Sequence, residues 1–330
     1  MNKIAFVTGA AGFLGRNLLE VLCEDHWQIH VMLRHDVPQW MRDMPNLVVS
    51  TGALEDANAV LQAMPAQCDA VFHLAGNTSS WVGDEKAIYR DNVIATQNVA
   101  NAALKNSARR LVMTSTLGVF DSSHGVIREQ SLLLRVTTKN PYLRTKLQAD
   151  ALLDGAQSQG LSVVRMHPGH ILGRYDRTGW ISLFAQAQAN KLGPAPRGTA
   201  SFCLASDVAR AHVRAASLPS VSPRYVIATA DASYLELFDG ISNLMGRKPV
   251  TTTVPAAMIK TIAKITQWRS SISGRTPTIT PGLADILSGD LLANAELATK
   301  ELGLRSTALD LMLGETHAYW TSLGLDSQVL

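Results

Sequence analysis

Short apolar runs alternate along this chain with stretches in which apolar residues recur at helical spacing. One apolar run covers residues 4–8 and the next covers residues 29–33. Between them the apolar positions follow the period of a helix: Phe13, Leu14, Leu18, Leu19, Val21 and Leu22. Such a run predicts a buried strand, and the period predicts a helix. The first part of the chain therefore predicts a strand, helix, strand unit, which is half of a doubly wound parallel sheet.

The same alternation continues beyond this unit. Strand-like runs follow at residues 47–50, 70–75, 110–115 and 162–166, and the chain is expected to return to the sheet around residues 224–229. Helix-compatible stretches separate these runs, which predicts parallel strands with helices on both faces. The predicted fold class is α/β, a Rossmann doubly wound parallel sheet with a smaller C-terminal lobe.

Three glycines lie where the first strand gives way to the first helix. Gly9 would permit a tight turn, Gly12 a close approach of a pyrophosphate to backbone N–H groups, and Gly15 close packing of the helix on the sheet. A plain strand-to-helix turn is the alternative interpretation. The placement after residues 4–8 favours a dinucleotide site.

The end of the second strand bears on which dinucleotide binds. An NAD site favours a carboxylate there, whereas the 2′-phosphate of NADP needs a cation. The chain has Arg34 at this point, which predicts NADP(H). Asp36 lies close by, and a solvated arginine is the other interpretation, so NAD(H) remains the alternative cofactor.

The chain has no linker rich in Pro, Gly or Ser and no internal repeat. We assign residues 1–172, with a return segment at 200–230, to an NAD(P)-binding Rossmann domain. Residues 173–199 and 231–330 are assigned to a substrate-binding lobe. Residues 254–268 predict a packed amphipathic helix, with a membrane-surface helix as the alternative. Two closing helices are predicted at 294–303, ending at Gly303, and at 308–320.

Composition narrows the classes of partner. The 330 residues are 46% hydrophobic and 17% charged, enough for a large core, and the net charge is +3. The basic residues are scattered, so a nucleic-acid partner is not expected. Three well-separated cysteines indicate reduced thiols. With no signal-like leader and no apolar stretch long enough to span a membrane, we expect a cytoplasmic protein. We expect no metal site, because the cysteines lack metal-type spacing and no carboxylate or cysteine lies near the His167 and His170 pair in the sequence.

Tyr142 and Lys146 lie four positions apart just after a proline, which places them on one helical face. A tyrosine with a pKa near 10 is a weak acid-base catalyst at neutral pH, and a nearby ammonium group should lower that pKa. Thr116, at a strand end, could donate a hydrogen bond to a carbonyl oxygen that gains charge during reduction. These residues predict a proton-transfer site.

The order of seven motifs gives the chain a specific resemblance. They are VTGAAGFLG, VFHLAG, DNVIATQNV, MTST, PYLRTK, HPGHILG and SDVARAH. Together they resemble an extended short-chain dehydrogenase/reductase over nearly the whole chain, closest to the dihydroflavonol reductase and 3β-hydroxysteroid dehydrogenase branch of the epimerase/dehydratase-like family. The resemblance implies a homodimer through helices of the sheet domain.

The resemblance implies roles for individual residues. Thr116, Tyr142 and Lys146 would be catalytic, with Ser115 as the fallback for Thr116. The cofactor would be bound by Gly9, Ala11, Gly12, Phe13, Leu14, Gly15, Arg34, Leu54, Ala75, Gly76, Tyr142, Lys146 and Pro168. Ala53 stands where an aspartate commonly lies near the adenine, so no side-chain hydrogen bond to the ring is expected from it.

The reaction that the resemblance implies is NADPH-dependent reduction of an aldehyde or ketone, which we expect to be apolar or aromatic. Leu117 and Gly118 follow Thr116 where dehydratases usually carry an Asp-Glu pair. Ala200 stands where sugar epimerases commonly carry an arginine that grips the diphosphate, although Arg197 is near. An NAD-dependent sugar epimerase is the alternative, and a non-catalytic NADP-binding protein the second alternative. Arg174, Arg177 and Arg197 are available for an anionic group.

Four further side chains are assigned no chemistry. His167 and His170 flank a Pro-Gly pair and are interpreted as loop histidines, and His212 as a residue packed on a helix. Trp81 would either cover the substrate or fix its own loop in place.

Overall fold

The computed structural model describes residues 2–273, 277 and 279–324. The strands are β1 (Ile4–Thr8), β2 (Gln28–Leu33), β3 (Leu47–Thr51), β4 (Ala70–His73), β5 (Arg110–Thr114), β6 (Ser162–Pro168), β7 (His170–Leu172), β8 (Ala195–Pro196), β9 (Thr199–Leu204), β10 (Arg224–Ile227), β11 (Ala230–Ser233), β12 (Thr253–Val254) and β13 (Asp290–Leu291). The helices are α1 (Phe13–Glu24), α2 (Gln39–Arg42), α3 (Ala57–Ala63), α4 (Glu85–Tyr89), α5 (Ala95–Lys105), α6 (Pro141–Ser158), α7 (Ile181–Gln188), α8 (Ala205–Ser217), α9 (Tyr234–Leu244), α10 (Ala256–Ser273), α11 (Pro281–Leu287), α12 (Glu296–Leu302) and α13 (Leu309–Ser322). A π-helical segment, Arg90–Ile94, joins α4 to α5.

Seven parallel strands form the main sheet, in the order β10-β6-β5-β4-β1-β2-β3. The order reverses between β1 and β4, which is the switch point of a doubly wound fold and the place where ligands bind. Strands β1 and β4 are almost wholly buried, because helices cover both faces. The predicted Rossmann α/β fold is confirmed.

Each face of the main sheet has its own hydrophobic core. On one face, α1 and α8 pack together over the sheet, with Leu18, Leu22 and Val208 fully buried. On the other face, α3, α5 and α6 contribute Val60, Val99 and Leu153. Of the six apolar positions predicted for α1, all except Phe13 lie in the stripe that this helix buries.

A smaller lobe is built on short strands. Strand β9 pairs with β7, β11 and β13, while β8 pairs with β12. Helices α7, α9 and α13 enclose its core, which includes Phe184, Leu237 and Trp320. The return segment expected at 200–230 is divided between the two parts of the molecule. Its first residues form β9 of the small sheet, whereas α8 packs on the main sheet and β10 is one of the main sheet's strands. The division into domains stays a prediction.

The predicted elements agree with the structure except at their ends. The run at 70–75 forms a strand only as far as His73. The amphipathic segment at 254–268 corresponds to α10, which begins only at Ala256, and the two closing segments correspond to α12 and α13. Gly303 has φ +68°, the left-handed conformation that ends a helix. In the described part of the chain, no helix has the length and apolar character needed to cross a membrane.

Candidate active site

The glycine turn after β1 leaves the start of α1 open toward the ends of the strands. Gly9 has φ +72°, and a Cβ there would lie 2.5 Å from the backbone nitrogen of Ala75. A Cβ on Gly15 would overlap the carbonyl oxygen of Gly9. Gly12 is the N-cap of α1, and none of the described side chains caps this end. The N–H groups of the first turn are therefore available to an anionic group such as a pyrophosphate.

A main cleft of about 530 Å³ lies beyond the carboxyl ends of β1, β4, β5 and β6. Its volume is in the range usual for small-molecule sites. Ten of the predicted site residues line it: Gly9, Gly12, Phe13, Leu14, Gly15, Gly76, Thr116, Tyr142, Lys146 and Pro168. A side cavity of about 360 Å³ lies at the ends of β2 and β3, and it is lined by the remaining four predicted residues, Ala11, Arg34, Leu54 and Ala75.

The two cavities adjoin and share Gly9, Gly12, Leu74 and Gly76. Gly76 lies at this junction, where a Cβ would be 3.1 Å from the Asn92 Oδ1 atom and 3.3 Å from the Lys146 Nζ atom. A side chain would fill this space, so glycine keeps it open. The residues present thus fit an extended dinucleotide, with the glycine turn between its two halves.

Tyr142 is held at the beginning of α6. Asn140 caps the helix, since its Oδ1 atom accepts hydrogen bonds from the backbone nitrogens of Tyr142 and Leu143 at 3.0 and 3.4 Å. Burial raises the pKa of Tyr142 to about 12, and a hydrogen bond with the Thr116 hydroxyl lowers it only in part. The expectation that Lys146 lowers this pKa is therefore wrong: burial dominates, and the phenol is protonated at neutral pH.

Lys146 lies one helical turn further on and is buried. Its Nζ atom donates a hydrogen bond to the carbonyl oxygen of Thr114 at 2.9 Å. Burial lowers the pKa of Lys146 to about 8, while the charge of Asp150 raises it. Asp150 is itself buried on α6, and its Oδ2 atom accepts a hydrogen bond from Ser115 at 3.4 Å. The Ser115 hydroxyl thus contacts Asp150, whereas Thr116 contacts Tyr142.

Arg34 lies at the wall of the side cavity and is paired with a carboxylate that sequence reasoning missed. Its guanidinium is 2.8 Å from the Asp91 Oδ1 atom, and Arg90 reaches the same oxygen at 3.1 Å. Burial raises the pKa of Asp91, but hydrogen bonds from the two arginines outweigh burial and lower it. Asp36 also lines this cavity. A 2′-phosphate would therefore meet one arginine with two carboxylates close by.

Aromatic and aliphatic side chains form the far wall of the main cleft. His170 packs edge-on against Trp180, with ring centroids 5.0 Å apart, and its Nε2 atom is 2.8 Å from the Tyr234 hydroxyl. Burial lowers the pKa of His170 to about 4, so the ring is neutral. Ile286 and Leu291 complete the wall. His170 is thus part of the cleft rather than a plain loop residue. Its aromatic neighbours are not close to it in the sequence, so the sequence did not show that His170 lies in an aromatic wall.

The other residues set aside in the sequence have ordinary surroundings. His167 is buried, with its Nδ1 atom 3.3 Å from the Thr116 carbonyl oxygen. His212 is a buried residue of α8, and its ring nitrogens contact the Val208 carbonyl oxygen and the Thr114 hydroxyl, both at 2.8 Å. Trp81 lies against Gly83 of its own loop, and it is not among the residues that line the main cleft. This placement matches a residue that fixes its loop.

The three arginines considered for an anionic group are bound elsewhere. Arg174 pairs with Glu20 and Glu315. Arg177 contacts the Tyr319 hydroxyl at 3.4 Å, and Arg197 contacts the Thr253 hydroxyl at 3.3 Å. Of the described residues that line the main cleft, none is an arginine and Lys146 is the single lysine. Ala200 is fully buried in β9.

A doubly wound sheet whose glycine turn opens onto its switch point defines the class of dinucleotide-binding α/β proteins. The model of the NAD dependent epimerase/dehydratase family matches residues 5–228. The chain belongs to this family. The predicted resemblance to the extended short-chain dehydrogenases/reductases is thereby confirmed.

Relatives with both reductase and epimerase names are similar to this chain. A putative dihydroflavonol 4-reductase from Synechocystis sp. is 27% identical over 335 residues, which cover 97% of this chain and 95% of that protein. A 3beta-hydroxysteroid-dehydrogenase/decarboxylase from Arabidopsis thaliana is 26% identical, covering 90% and 74%. The structure of UDP-glucuronic acid 4-epimerase from Bacillus cereus, solved with UDP-glucuronic acid and NAD, has a TM-score of 0.77 at 19% identity and covers 97% and 99%. That likeness shows the fold alone. The family and the named relatives support an NAD(P)-binding enzyme of oxidoreductase or epimerase type.

Proposed function

We propose that the chain reduces an apolar or aromatic aldehyde or ketone to an alcohol with NADPH. The observation that carries the proposal is the lining of the main cleft beyond Tyr142. It includes Trp180, His170, Ile286 and Leu291 beside the polar Asp176 and Thr178 and, among the described residues, holds no arginine. A nucleotide sugar brings a diphosphate that needs cationic partners, whereas an apolar carbonyl compound does not.

The protonation of Tyr142 suits the same reaction. Tyr142 carries its proton at neutral pH, as a free tyrosine also does, so it can donate that proton to the carbonyl oxygen as the oxygen gains charge. Thr116, in contact with Tyr142, is proposed to orient the same oxygen. Lys146 is proposed to hold the nicotinamide ribose, close to Gly76. The nicotinamide, when bound, supplies the hydride.

The cofactor preference is proposed from Arg34. This side chain is about half exposed at the edge of the side cavity, from which a 2′-phosphate could be reached. The phosphate would compete with Asp91 for the guanidinium, and Arg90 could retain Asp91 when Arg34 turns away. The carboxylates of Asp36 and Asp91 are the observation that favours the alternative, an NAD-dependent sugar epimerase, since they suit a free ribose hydroxyl.

Separate titrations with NADPH and NADH test the cofactor. Protein stripped of nucleotide should bind NADPH at least tenfold more tightly, about 1.4 kcal/mol, and Arg34→Ala should remove the preference. Arg42→Ala, on α2 and outside both cavities, is the control and should keep the preference. A preference for NADH in the parent protein would favour the epimerase.

The reaction is tested with Tyr142→Phe. The parent protein should oxidise NADPH in the presence of members of a panel of apolar and aromatic aldehydes and ketones. Tyr142→Phe should lose at least a hundredfold in kcat, while Tyr89→Phe, at an exposed tyrosine of α4, should not. Equal activity in Tyr142→Phe would reject the assigned role. NADPH binding without turnover of any panel member would favour the non-catalytic alternative. The homodimer and the cytoplasmic location stay predictions.

A further inference from the structure

Helix α10 carries its larger apolar side chains on the side that faces solvent. Five of them recur at helical spacing and are 46% to 70% exposed: Met258, Ile262, Ile265, Trp268 and Ile272. The inward side of the helix buries Ile259, Ala263 and Ser270. This is the reverse of an ordinary surface helix, which turns its apolar face to the core.

An exposed apolar face of this size is uncommon on a globular protein and marks a site of interaction. At 100° per residue, the five side chains fall within an arc of about 120° on the helix. Leu283, on the adjacent α11, is exposed as well. The helix is anchored from behind, because Ile259 and Ala263 pack with Ala284 of α11. The face is therefore held outward by the fold.

The charged residues of the helix itself all have one sign. The sequence from residue 256 to residue 273 contains Lys260, Lys264 and Arg269, and no aspartate or glutamate. Lys260 pairs with Asp285 of α11 at 2.9 Å, whereas no described carboxylate pairs with Lys264 or Arg269. On the helix, Arg269 lies within the apolar arc and Lys264 lies about 40° outside it.

We propose that α10 is a membrane-binding helix that lies in the plane of an anionic lipid surface, with its five apolar side chains in the headgroup region. Apolar residues that include a tryptophan, flanked by cations, are the features of such interfacial helices. Lys264 and Arg269 would reach the phosphate groups while their aliphatic stems remain beside the apolar side chains of the helix. Because the helix is too polar to span a bilayer, it lies on the surface.

A second copy of the chain fits this face less well. Two copies joined through α10 would place Arg269 of each inside a shared apolar interface with no carboxylate on the helix to neutralise it. Buried unpaired charge is costly. An anionic bilayer removes the same apolar area from water and provides the opposite charge.

The helix is also connected to the main cleft. Asp285, the partner of Lys260, precedes Ile286, which lines the cleft. Thr280, the N-cap of α11, is 2.5 Å from the Ser80 hydroxyl on the loop after β4. A bilayer on α10 would thus lie next to one wall of the cleft, as suits an apolar compound dissolved in lipid. The membrane contact itself does not depend on the proposed reaction.

Flotation of the full chain with lipid vesicles tests the proposal. Vesicles of phosphatidylcholine alone are compared with vesicles of phosphatidylcholine and phosphatidylglycerol at three to one. We expect partition onto the anionic vesicles to be at least tenfold stronger and to weaken as salt is raised. Ile265→Asp with Ile272→Asp should abolish binding. Leu311→Asp, an equally exposed leucine on α13, should leave it unchanged.

Circular dichroism and NADPH binding confirm that each variant is folded. A second pair, Lys264→Gln with Arg269→Gln, keeps the apolar face and should reduce binding to anionic vesicles roughly tenfold or more. The proposal is overturned if the folded parent protein does not float with anionic vesicles, or if the two aspartate substitutions leave flotation unchanged. It is equally overturned if the parent protein is a dimer that binds no lipid and the two aspartate substitutions dissociate that dimer. The apolar face of α10 would then contact a second copy of the chain rather than a membrane.

Discussion

Lys146 lies between two opposing influences, and their balance places its pKa near the physiological range. Burial lowers the pKa to about 8, and the carboxylate of Asp150, one helical turn further along α6, raises it. Burial raises the pKa of Asp150 to about 6, against the charge of Arg165. The Oδ1 atom of Asp150 accepts no hydrogen bond from any described residue. Asp150 is therefore a buried charge that acts on Lys146 through space, a positioning residue rather than a catalytic one.

Replacing Asp150 by Asn should move the pH profile of the reaction. If protonated Lys146 is required, kcat/KM falls as the pH rises through about 8, where Lys146 loses its proton. Asp150→Asn removes the charge that favours the ammonium form, so the fall should begin at lower pH, by about one unit or 1.4 kcal/mol. The measurement is kcat/KM for the reduction between pH 6 and pH 10.

Asp154→Asn provides the matched control. Asp154 lies a turn beyond Asp150 on α6, is 74% exposed at its side chain, and pairs with Arg165. Its substitution should leave the alkaline limb of the profile in place. An alkaline limb that is identical in both variants and the parent would show that Asp150 does not act on Lys146.

The residues of the site differ in how far the sequence could predict them. Gly9, Tyr142 and Lys146 were predictable because backbone geometry and helical spacing leave a local pattern. Asp150 has the spacing of an ordinary exposed ion pair with Lys146, and the sequence carries no sign that both are buried. The pairing of Arg34 with Asp91 joins residues that are 57 positions apart, which no local pattern reports.

At the scale of elements, the π-helical segment between α4 and α5 connects the loop after β4 to α6 at one side of the cleft. It turns Asn92 inward, where the Nδ2 atom donates to the Asn77 carbonyl oxygen and to the Thr145 hydroxyl, both at 2.9 Å. The Oδ1 atom accepts from the Asn77 nitrogen at 2.7 Å. One side chain thus joins the loop after β4 to α6. Such π-helical segments commonly occur at functional sites.

Asn92→Ala should loosen this junction. The main-chain groups of Asn77 lose buried partners, so the free energy of unfolding should fall by about 1–3 kcal/mol. Affinity for NADPH should also fall, because Gly76 precedes the released residue. Urea denaturation and nucleotide titration measure the two effects. Asn101→Ala, at an exposed asparagine of α5 that contacts Gln97, should change stability by less than about 0.5 kcal/mol; a comparable loss in both variants would argue against the junction.

Strand length decides which elements the sequence could predict. The seven strands of the main sheet have four to seven residues and leave continuous apolar runs, which is why they were predicted. In the smaller lobe, β8, β12 and β13 have two residues each, too few for any period. Strand β9 is apolar enough to be a core strand, but nothing in its sequence says which sheet it joins. The small sheet was therefore missed.

For the whole molecule, the chain passes from the lobe back into the main core. Strand β13 pairs with β9 in the small sheet, and α12 follows within a few residues. Helix α12 then buries Ala298 and Leu302 in the core beneath β10. Its Glu301 accepts a hydrogen bond from the Tyr225 hydroxyl at 2.5 Å. The core of the main sheet thus includes α12, a helix that follows most of the smaller lobe in the sequence.

This connection predicts that the two parts unfold together. Leu302→Ala leaves a cavity under β10 and should lower the free energy of unfolding by about 2–5 kcal/mol. Because Trp27 is buried in the main core and Trp320 in the lobe, tryptophan fluorescence reports on both parts. Fluorescence and far-ultraviolet circular dichroism should give coincident denaturation curves in the parent and shift together in the variant.

Leu244→Ala, at the partly exposed end of α9, is the control for this experiment and should shift the curves little. Two separate transitions, with Leu302→Ala moving only one of them, would mean that the lobe folds independently and that α12 is an appendage of the sheet domain. A single shared transition would instead make the C-terminal helices part of the folding unit that holds the glycine turn. Substitutions in α12, far from the cleft, would then weaken nucleotide binding only because they lower the fraction of folded protein. Binding should return at a lower temperature at which the variant is fully folded.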